Sequence, residues 1–521
     1  MSDAARAPAS GSRASRLPAA AAHAWLSHPR VWIALFALVV ALAFLGQRGL
    51  WDHDEGRYTN VALHMLDSGN WLEPRRNAEI PHWSKPPLTY WAIAASIGAF
   101  GESAFAARLP MALAYLLCVA LTWRLARRLA PGQEATCAAI FASMLLPFGA
   151  AQLVTTDMLL TAFEAIALWA FVEARFGNAH ARGWIVAMWA AFALAFLTKG
   201  PPALLPLVAL LAFDRLARRP GDAHVLSPAG LLAFAAIALP WYVAVVQRHP
   251  GLLDYFLGRE VVGRVATDVA DRNGQWWGWI AVYVPTLLLG TLPWTPALLR
   301  WARALGTRVR RWRVRAARLA EREDLLLALW VLLPLLVFCL ARSRMPLYVL
   351  PLMVPLALIA ARQRAGEGRG LPPLRAFALW AIALVALRIA SSYWPTHKDA
   401  AMWAKAIRAR VGGPVPEVVF VDDMARYGLH LHLGRGTQIE KVSLDPTPDL
   451  DYVPDWDESL AEELLEFDPR AVWIARRARL PAIASRLRSL GYEAMPLGAP
   501  VEDRVIFRVS RRPGAPARPP R

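Results

Sequence analysis

Between residues 31 and 391, apolar positions fall in long blocks separated by short polar segments and do not alternate as they would in a half-buried strand. A helix needs about 20 apolar residues to cross a bilayer. Blocks approaching that length fall near 31–49, 107–126, 134–153, 158–175, 183–198, 201–216, 227–247, 277–298, 324–341, 346–362 and 372–391. The segment PPLTYWAIAASIGAF (87–101) predicts a further membrane-embedded or re-entrant helix. The pattern predicts an all-α polytopic membrane domain over 31–391, with about 11–13 transmembrane helices. After residue 392 it changes: short β-rich runs at VVFVD (418–422), AVWIA (471–475) and RVIFRVS (504–510) alternate with helical stretches such as ESLAEELLEF (458–467). This predicts a small α/β domain over 392–511. The Ala/Arg/Ser-rich segment 1–30 and the Pro/Arg-rich segment 512–521 read as disordered tails.

Composition sharpens the membrane reading. The chain has 521 residues, of which 56% are hydrophobic and only 19% charged, where a soluble protein carries about a quarter charged. The net charge of +18 is not a nucleic-acid footprint, because the arginines sit in short loops between apolar blocks: RLARR (124–128), DRLARRP (214–220) and the run over 300–324. With the N-terminus cytoplasmic, each Arg-rich loop falls on the cytoplasmic side, as the positive-inside rule requires. The opposite, periplasmic side of an inner membrane then receives the first loop (50–106), the turns near 154–157, 199–201 and 342–346, the loop 248–276 and the C-terminal domain. Cys118, Cys137 and Cys339 lie in apolar blocks without metal-ligand spacing and read as small buried hydrophobes.

The candidate chemistry lies on that outer side. WDHDEGRY places Asp52, Asp54, Glu55, Arg57 and Tyr58 directly after the first span; HWSKPPLTYW adds Lys85. Asp157 (TTDMLL) and Lys199 (LTKGPP) fall at span ends, Glu260, Arg264 and Arg272 in the loop 248–276, and Arg344 and Tyr348 in SRMPLY. Taken singly, a carboxylate at a span end is ordinarily solvated, a lysine there snorkels, and a tyrosine anchors the interface. Together they place carboxylates and cations on the side where positive charge is disfavoured. That set suits displacement of a lipid-linked phosphate from a sugar's anomeric carbon. The leaving phosphate needs no general acid but does need cations, and Arg57, Lys85, Lys199 and Arg264 supply them. Asp54 is the natural base for an acceptor hydroxyl; an acceptor phosphate is already ionised, and Asp54 would then orient it. No cofactor is demanded by these residues, and a divalent metal is compatible with them.

The run WDHDEGRYTNVALHMLDSGNWLEPRRNAEIPHWSKPPLTYW, followed in order by ARLP (107–110), TTDMLL, LTKGPP, LPWYV (239–243), LPWTP (292–296) and SRMPLYVLP, resembles the aminoarabinose-transferase (lipid A-modifying) branch of the protein-mannosyltransferase superfamily. These are membrane glycosyltransferases of the GT-C fold. The resemblance spans roughly residues 30–365 and implies an undecaprenyl-phosphate sugar donor and a periplasmic cavity. It implies Asp54 and Glu55 as the catalytic acidic pair. Around the carrier phosphate it implies Arg57, Lys199, Arg264 and Tyr348, with Tyr58 beside them in the first motif and Lys85 and Asp157 lining the cavity. Two positions depart from the family pattern: Ser84 stands where that branch has a glutamate, and Arg344-Met345 where it has Lys-Leu.

The function expected on this reading is inverting transfer of a sugar, pentose or hexose, from undecaprenyl phosphate to an envelope acceptor, a lipid A-like glycolipid being favoured over protein. The alternative from another class, a flippase for the lipid-linked sugar, predicts internal repeats and mid-span charges; no repeat is evident and the candidate charges gather at one face.

Overall fold

A computed structural model describes residues 28–177, 180–258, 273–434, 436–445 and 456–513. The predicted tails fall almost wholly outside the described residues, as do Glu260, Arg264 and Arg272.

The helical part comprises α1 (Pro29–Leu42), α2 (Asp54–Ser68), α3 (Leu88–Phe100), α4 (Ala104–Leu129), α5 (Glu134–Ser143), α6 (Asp157–Phe176), α7 (Ala181–Lys199), α8 (Leu205–Ala217), α9 (Pro228–Arg248), α10 (Gly278–Gly290), α11 (Thr295–Arg311), α12 (Arg322–Leu340), α13 (Met353–Gly366) and α14 (Leu374–Ser392), with short helical turns between some of them. Among the described residues, six helical stretches are each long and apolar enough to cross a bilayer: α4, α7, α9, α12, Pro346–Gly366 and α14. The remaining predicted spans are shorter, broken or charged. The block 134–153 breaks at Met144, and 277–298 breaks after Gly290 at a turn containing Pro293. The second half of that latter block opens α11, an arginine-rich helix, so it is not one continuous span. α6 runs 20 residues but carries Asp157, Glu164, Glu173 and Arg175.

A broken helix inside a membrane must find new partners for its freed backbone groups. Pro147 has no N–H to offer the Ser143 carbonyl, and the Trp380 indole donates to that carbonyl at 2.8 Å. The Tyr115 hydroxyl donates to the neighbouring Ala142 carbonyl at 2.6 Å. These bonds fasten the break to α4 and α14. In the core of the bundle, α6 packs along α7, α4 along α6, and α7 along α9.

After α14 the chain enters a sheet-bearing unit. α15 (Ala400–Arg408) leads into β1 (Glu417–Val421), followed by β2 (Gln438–Ser443), β3 (Glu458–Ser459), β4 (Val472–Arg476), α16 (Leu480–Ser489), β5 (Tyr492–Pro496) and β6 (Arg504–Arg511). The strands order β3-β2-β1-β4-β6-β5, with β3, β2, β1 and β4 parallel and β6 antiparallel to both β4 and β5. Strand alternation builds two cores: Val418 and Phe420 face Trp403 and Ile407 of α15, while Val419 and Val421 face Ile483 and Leu487 of α16. Both faces are covered, which explains why β1 and β4 read as continuous apolar runs.

This unit docks on the segment 49–77. The Ala400 amide donates to the Leu50 carbonyl at 3.0 Å and the Asp52 amide to the Lys398 carbonyl at 2.9 Å. The buried Asp52 carboxylate accepts from the Gly428 amide. A Cβ on Gly56 would meet that carboxylate at 1.9 Å and the Gly428 nitrogen at 2.4 Å, so the close approach requires glycine. Further out, Arg76 pairs with Asp457, the Asn77 amide donates to Glu440 at 2.7 Å, and His430 Nδ1 lies 2.8 Å from Asn60 Oδ1.

Asp423 anchors the sheet unit internally, accepting from Arg426, Arg476 and Arg504 at 2.9–3.1 Å. Burial raises its pKa, but the hydrogen bonds from Arg504 and the charge of Arg426 outweigh this and hold it well below the usual carboxylate range. Its contribution to stability is therefore fully present above about pH 4, the unfolded carboxylate range, and fades as the pH falls toward the depressed folded value. Asp423→Asn is expected to cost about 3 kcal/mol by leaving buried Arg426 uncompensated. Thermal unfolding of the full chain between pH 3 and 7 checks this, the wild-type advantage narrowing toward the acid end.

Candidate active site

The first turn of α2 begins the site. Asp54 and Glu55 both sit there, where the helix dipole favours negative charge, yet they face different surroundings. Glu55 is 3% exposed. Arg108 from α4 reaches it through Nε at 3.0 Å and Nη2 at 3.1 Å, Arg48 pairs with it from the other side, and the amides of Trp51 and Val154 donate at 2.9 and 3.2 Å. Burial raises the Glu55 pKa, but Arg108 and Arg48 outweigh it and bring it down to about 2. Arg108 spends its remaining donors on the carbonyls of Leu45, Arg48 and Gly49. Glu55 thus ties together the exit of α1, α2, α4 and the turn before α6. Asp54, by contrast, has a side chain 46% exposed and accepts from Arg57 Nη2 at 2.7 Å. Tyr58 is buried, its ring 5.6 Å from Tyr90.

A second group surrounds a cavity of about 430 Å³ between α6, α7, α9, α12 and the 3₁₀ turn Pro346–Leu352. Lys85, Lys199, Ser84, Glu164 and Tyr348 line it, and most of the remaining wall is apolar, including Phe196, Leu239, Tyr242, Phe256 and Phe338. Lys199 ends α7; Gly200, at φ 73°, turns the chain into the Pro201–Leu204 turn. Its ammonium pairs with buried Asp157 and lies 4.6 Å from the centre of the Tyr348 ring, a cation–π contact. The wall formed by Leu239, Leu253 and Leu257 belongs to residues 45–56% exposed on the outside of the bundle, so the apolar side of the cavity borders the lipid-facing surface.

His82 joins the two groups. It is buried, with Nε2 2.7 Å from the Ser84 hydroxyl, and burial together with the positive charges of Arg57, Arg76 and Lys85 pushes its pKa well below the usual histidine range. It is a neutral imidazole set among cations.

The structure brings Lys85, Lys199 and Tyr348 to one cavity, with Asp157 paired to Lys199 but not lining it, and holds Asp54, Glu55, Arg57 and Tyr58 together on α2, outside the cavity lining. Arg344 does not face the cavity: its guanidinium donates to the carbonyls of Asn273, Gln275 and Cys339 at 2.6–3.1 Å. Arg264 lies outside the described residues. Sequence reasoning missed Glu164, which is 3% exposed and within electrostatic reach of Lys199 and Asp157. The available signal was a carboxylate seven residues after Asp157, on the same helix face, inside an apolar block where charge is expensive. It also missed Arg48 and Arg108 as the partners of Glu55, and His82 as the partner of Ser84.

A helical membrane bundle with a largely apolar cavity against its lipid-facing side, and an α/β unit docked over the first loop, is the architecture of the GT-C class of membrane folds. Within that class the chain is similar to the aminoarabinose-transferase branch of the protein-mannosyltransferase superfamily. The family described as "Dolichyl-phosphate-mannose-protein mannosyltransferase" matches residues 84–243. The undecaprenyl phosphate-alpha-4-amino-4-deoxy-L-arabinose arabinosyl transferase 2 of Pseudomonas fluorescens (strain Pf0-1) is 32% identical over 346 residues, 64% of this chain and 60% of the relative. The corresponding transferase of Pseudomonas aeruginosa (strain LESB58) is 33% identical over 324 residues, 60% of this chain and 56% of the relative. The chain thus spans somewhat under two thirds of the length of these relatives. In fold it is similar to the crystal structure of ArnT from Cupriavidus metallidurans bound to undecaprenyl phosphate, with a TM-score of 0.70 at 22% identity, covering 92% of this chain and 98% of that one. The apo structure of the same protein gives 0.72 at 21% identity, covering 94% and 98%. The chain is a multi-pass membrane protein of this fold.

Glu55→Gln removes the charge that two arginines share while keeping the shape. It is expected to cost about 3 kcal/mol or more, because Arg108 stays buried without its counter-charge. The check is thermal unfolding in detergent. The wild-type contribution is present above the unfolded glutamate range and is lost only as the pH falls toward about 2, so a wild-type advantage persisting at pH 4 is the expected result.

Proposed function

We propose that this chain transfers a sugar from an undecaprenyl-phosphate carrier to a lipid A-like glycolipid at the periplasmic face of the bacterial inner membrane, with inversion at the anomeric carbon. The observation that carries the reading is the cavity: two lysines and a tyrosine line it, the Lys199 ammonium against the Tyr348 ring, and most of the rest is a greasy surface bordering the lipid-facing side. A lipid phosphate has that shape, with a charged head for Lys85 and Lys199 and a hydrocarbon chain for Leu239, Leu253 and Phe256. The similarity to transferases whose names specify an undecaprenyl-phosphate-linked amino sugar supports the same donor class. The arginine-rich loops support a cytoplasmic N-terminus and a periplasmic sheet unit.

In the proposed reaction an acceptor oxygen attacks the anomeric carbon, and the carbon–oxygen bond to the phosphate breaks with its electron pair leaving on the phosphate. Lys85 and Lys199 stabilise that charge, and Tyr348 holds the Lys199 ammonium against its ring. Half-exposed Asp54 takes the acceptor's proton, while its partner Arg57 holds the carboxylate in place. Glu55 positions this turn through Arg48 and Arg108, and the resemblance implies Arg264 as a further cation for the phosphate.

Reconstitution with undecaprenyl-phosphate aminoarabinose and lipid A tests this. Asp54→Asn is expected to lower transfer by about 100-fold or more, and Lys199→Ala by about 100-fold, while both proteins insert and purify normally. Full activity in Asp54→Asn would remove Asp54 from the chemistry. Lipid A of unaltered mass in cells lacking the gene and in cells overexpressing it would overturn the acceptor.

A further inference from the structure

At the far end of α8 from the cavity lies a second concavity, of about 570 Å³. Leu205 at the start of α8 lines the first cavity; Leu211, Asp214 and Arg215 near its end line the second. The two therefore sit toward opposite faces of the bundle. Four arginines line the second pocket, Arg215, Arg218, Arg219 and Arg315, together with His224.

The carboxylates that would neutralise them are committed elsewhere. Asp214 is paired with buried Arg175, and Asp222 accepts from Arg322 at 3.0 Å. The end of α8 does not need the pocket's arginines as caps either, because Arg318 donates to the Leu216 carbonyl at 3.0 Å. Arg218 is fixed in place by the Asp222 carbonyl at 3.1 Å and the His224 ring. Among the described residues, no carboxylate forms an ion pair with any of the four. The positive-inside rule accounts for arginines on this face, but it does not require them to line a shared hollow with their natural counter-ions withdrawn. Beside the hollow the surface is apolar and exposed: Leu211, Leu226 and Leu232 present 37–70% of their area.

We infer that this pocket seats the phosphate headgroup of an anionic phospholipid from the leaflet opposite the cavity, with acyl chains laid along Leu211, Leu226 and Leu232. Basic pockets between membrane helices recognise such headgroups, and Arg215 and Arg315, with the donors that Arg218 and Arg219 do not give to the Asp222 and Leu319 carbonyls, provide charge-assisted hydrogen bonds to phosphate oxygens. A free phosphate ion shares the headgroup chemistry but has no use for the flanking leucines.

The test uses the full chain in nanodiscs of phosphatidylcholine, with increasing phosphatidylglycerol or with inorganic phosphate alone, read by thermal unfolding and by native mass spectrometry of retained lipid. The wild type is expected to retain phosphatidylglycerol and to gain thermal stability from it. Arg215→Gln/Arg315→Gln is expected to bind it about thirtyfold more weakly. The charge-reversed Arg215→Glu/Arg315→Glu variant is expected to lose it. Equal retention by wild type and the glutamine variant would overturn the inference, as would equal stabilisation of the wild type by inorganic phosphate alone, which would assign the pocket to a soluble anion.

Discussion

A single buried carboxylate holds one end of the helical bundle together. Glu55 accepts from Arg48, Arg108 and two backbone amides, and those groups come from the exit of α1, the start of α4 and the turn before α6. Losing one member of such a cluster strands charge in a low-dielectric interior at about 3–5 kcal/mol, so the four elements are constrained to meet. Their meeting fixes the first turn of α2, and with it the direction in which Asp54 and Arg57 point. The same constraint explains why the ARLP motif opens α4 with an arginine: Arg108 is there for Glu55 and for the carbonyls of the loop beneath it.

From that fixed end the two halves of the site diverge in character. The α2 side is polar and covered by the sheet unit, which reaches it through Asp52, Asn60 and Arg76. The cavity side is apolar except for the lysines, Ser84, Glu164 and Tyr348. This division matches the proposed substrate, which is itself divided, with a lipid chain on one side and a sugar head on the other, joined by a phosphate at the boundary. Asp157 pairs with Lys199, so that a cation waits inside an apolar wall without standing alone.

Much of this was legible in the chain. Apolar blocks located the helices because a bilayer demands length and apolarity together. What the pattern misjudged were blocks that the backbone breaks: Pro147 and Pro293 each interrupt a run that reads as continuous, and only the tertiary bonds from Trp380 and Tyr115 make the first break tolerable. β2, with the polar sequence QIEKVS, escaped because its pairing in the sheet overrides a weak local preference. At the site, looking for charges at span ends found Lys85, Asp157 and Lys199, but that rule passed over Glu164, which lies within a span. It singled out Asp54 as the base but kept Glu55 in the catalytic pair, since nothing in two adjacent carboxylates tells which of them two distant arginines will claim.

The central claim is that Lys85, Lys199 and Tyr348 form one pocket for a lipid-linked phosphate. An experimental structure of the protein with undecaprenyl phosphate tests it most directly. The account predicts phosphate density within hydrogen-bonding distance of the Lys85 and Lys199 ammonium groups, with the polyprenyl chain running along Leu239 and Phe256. Phosphate density elsewhere, with the Lys199–Asp157 pair and the cavity between them unchanged from the lipid-free protein, would contradict it.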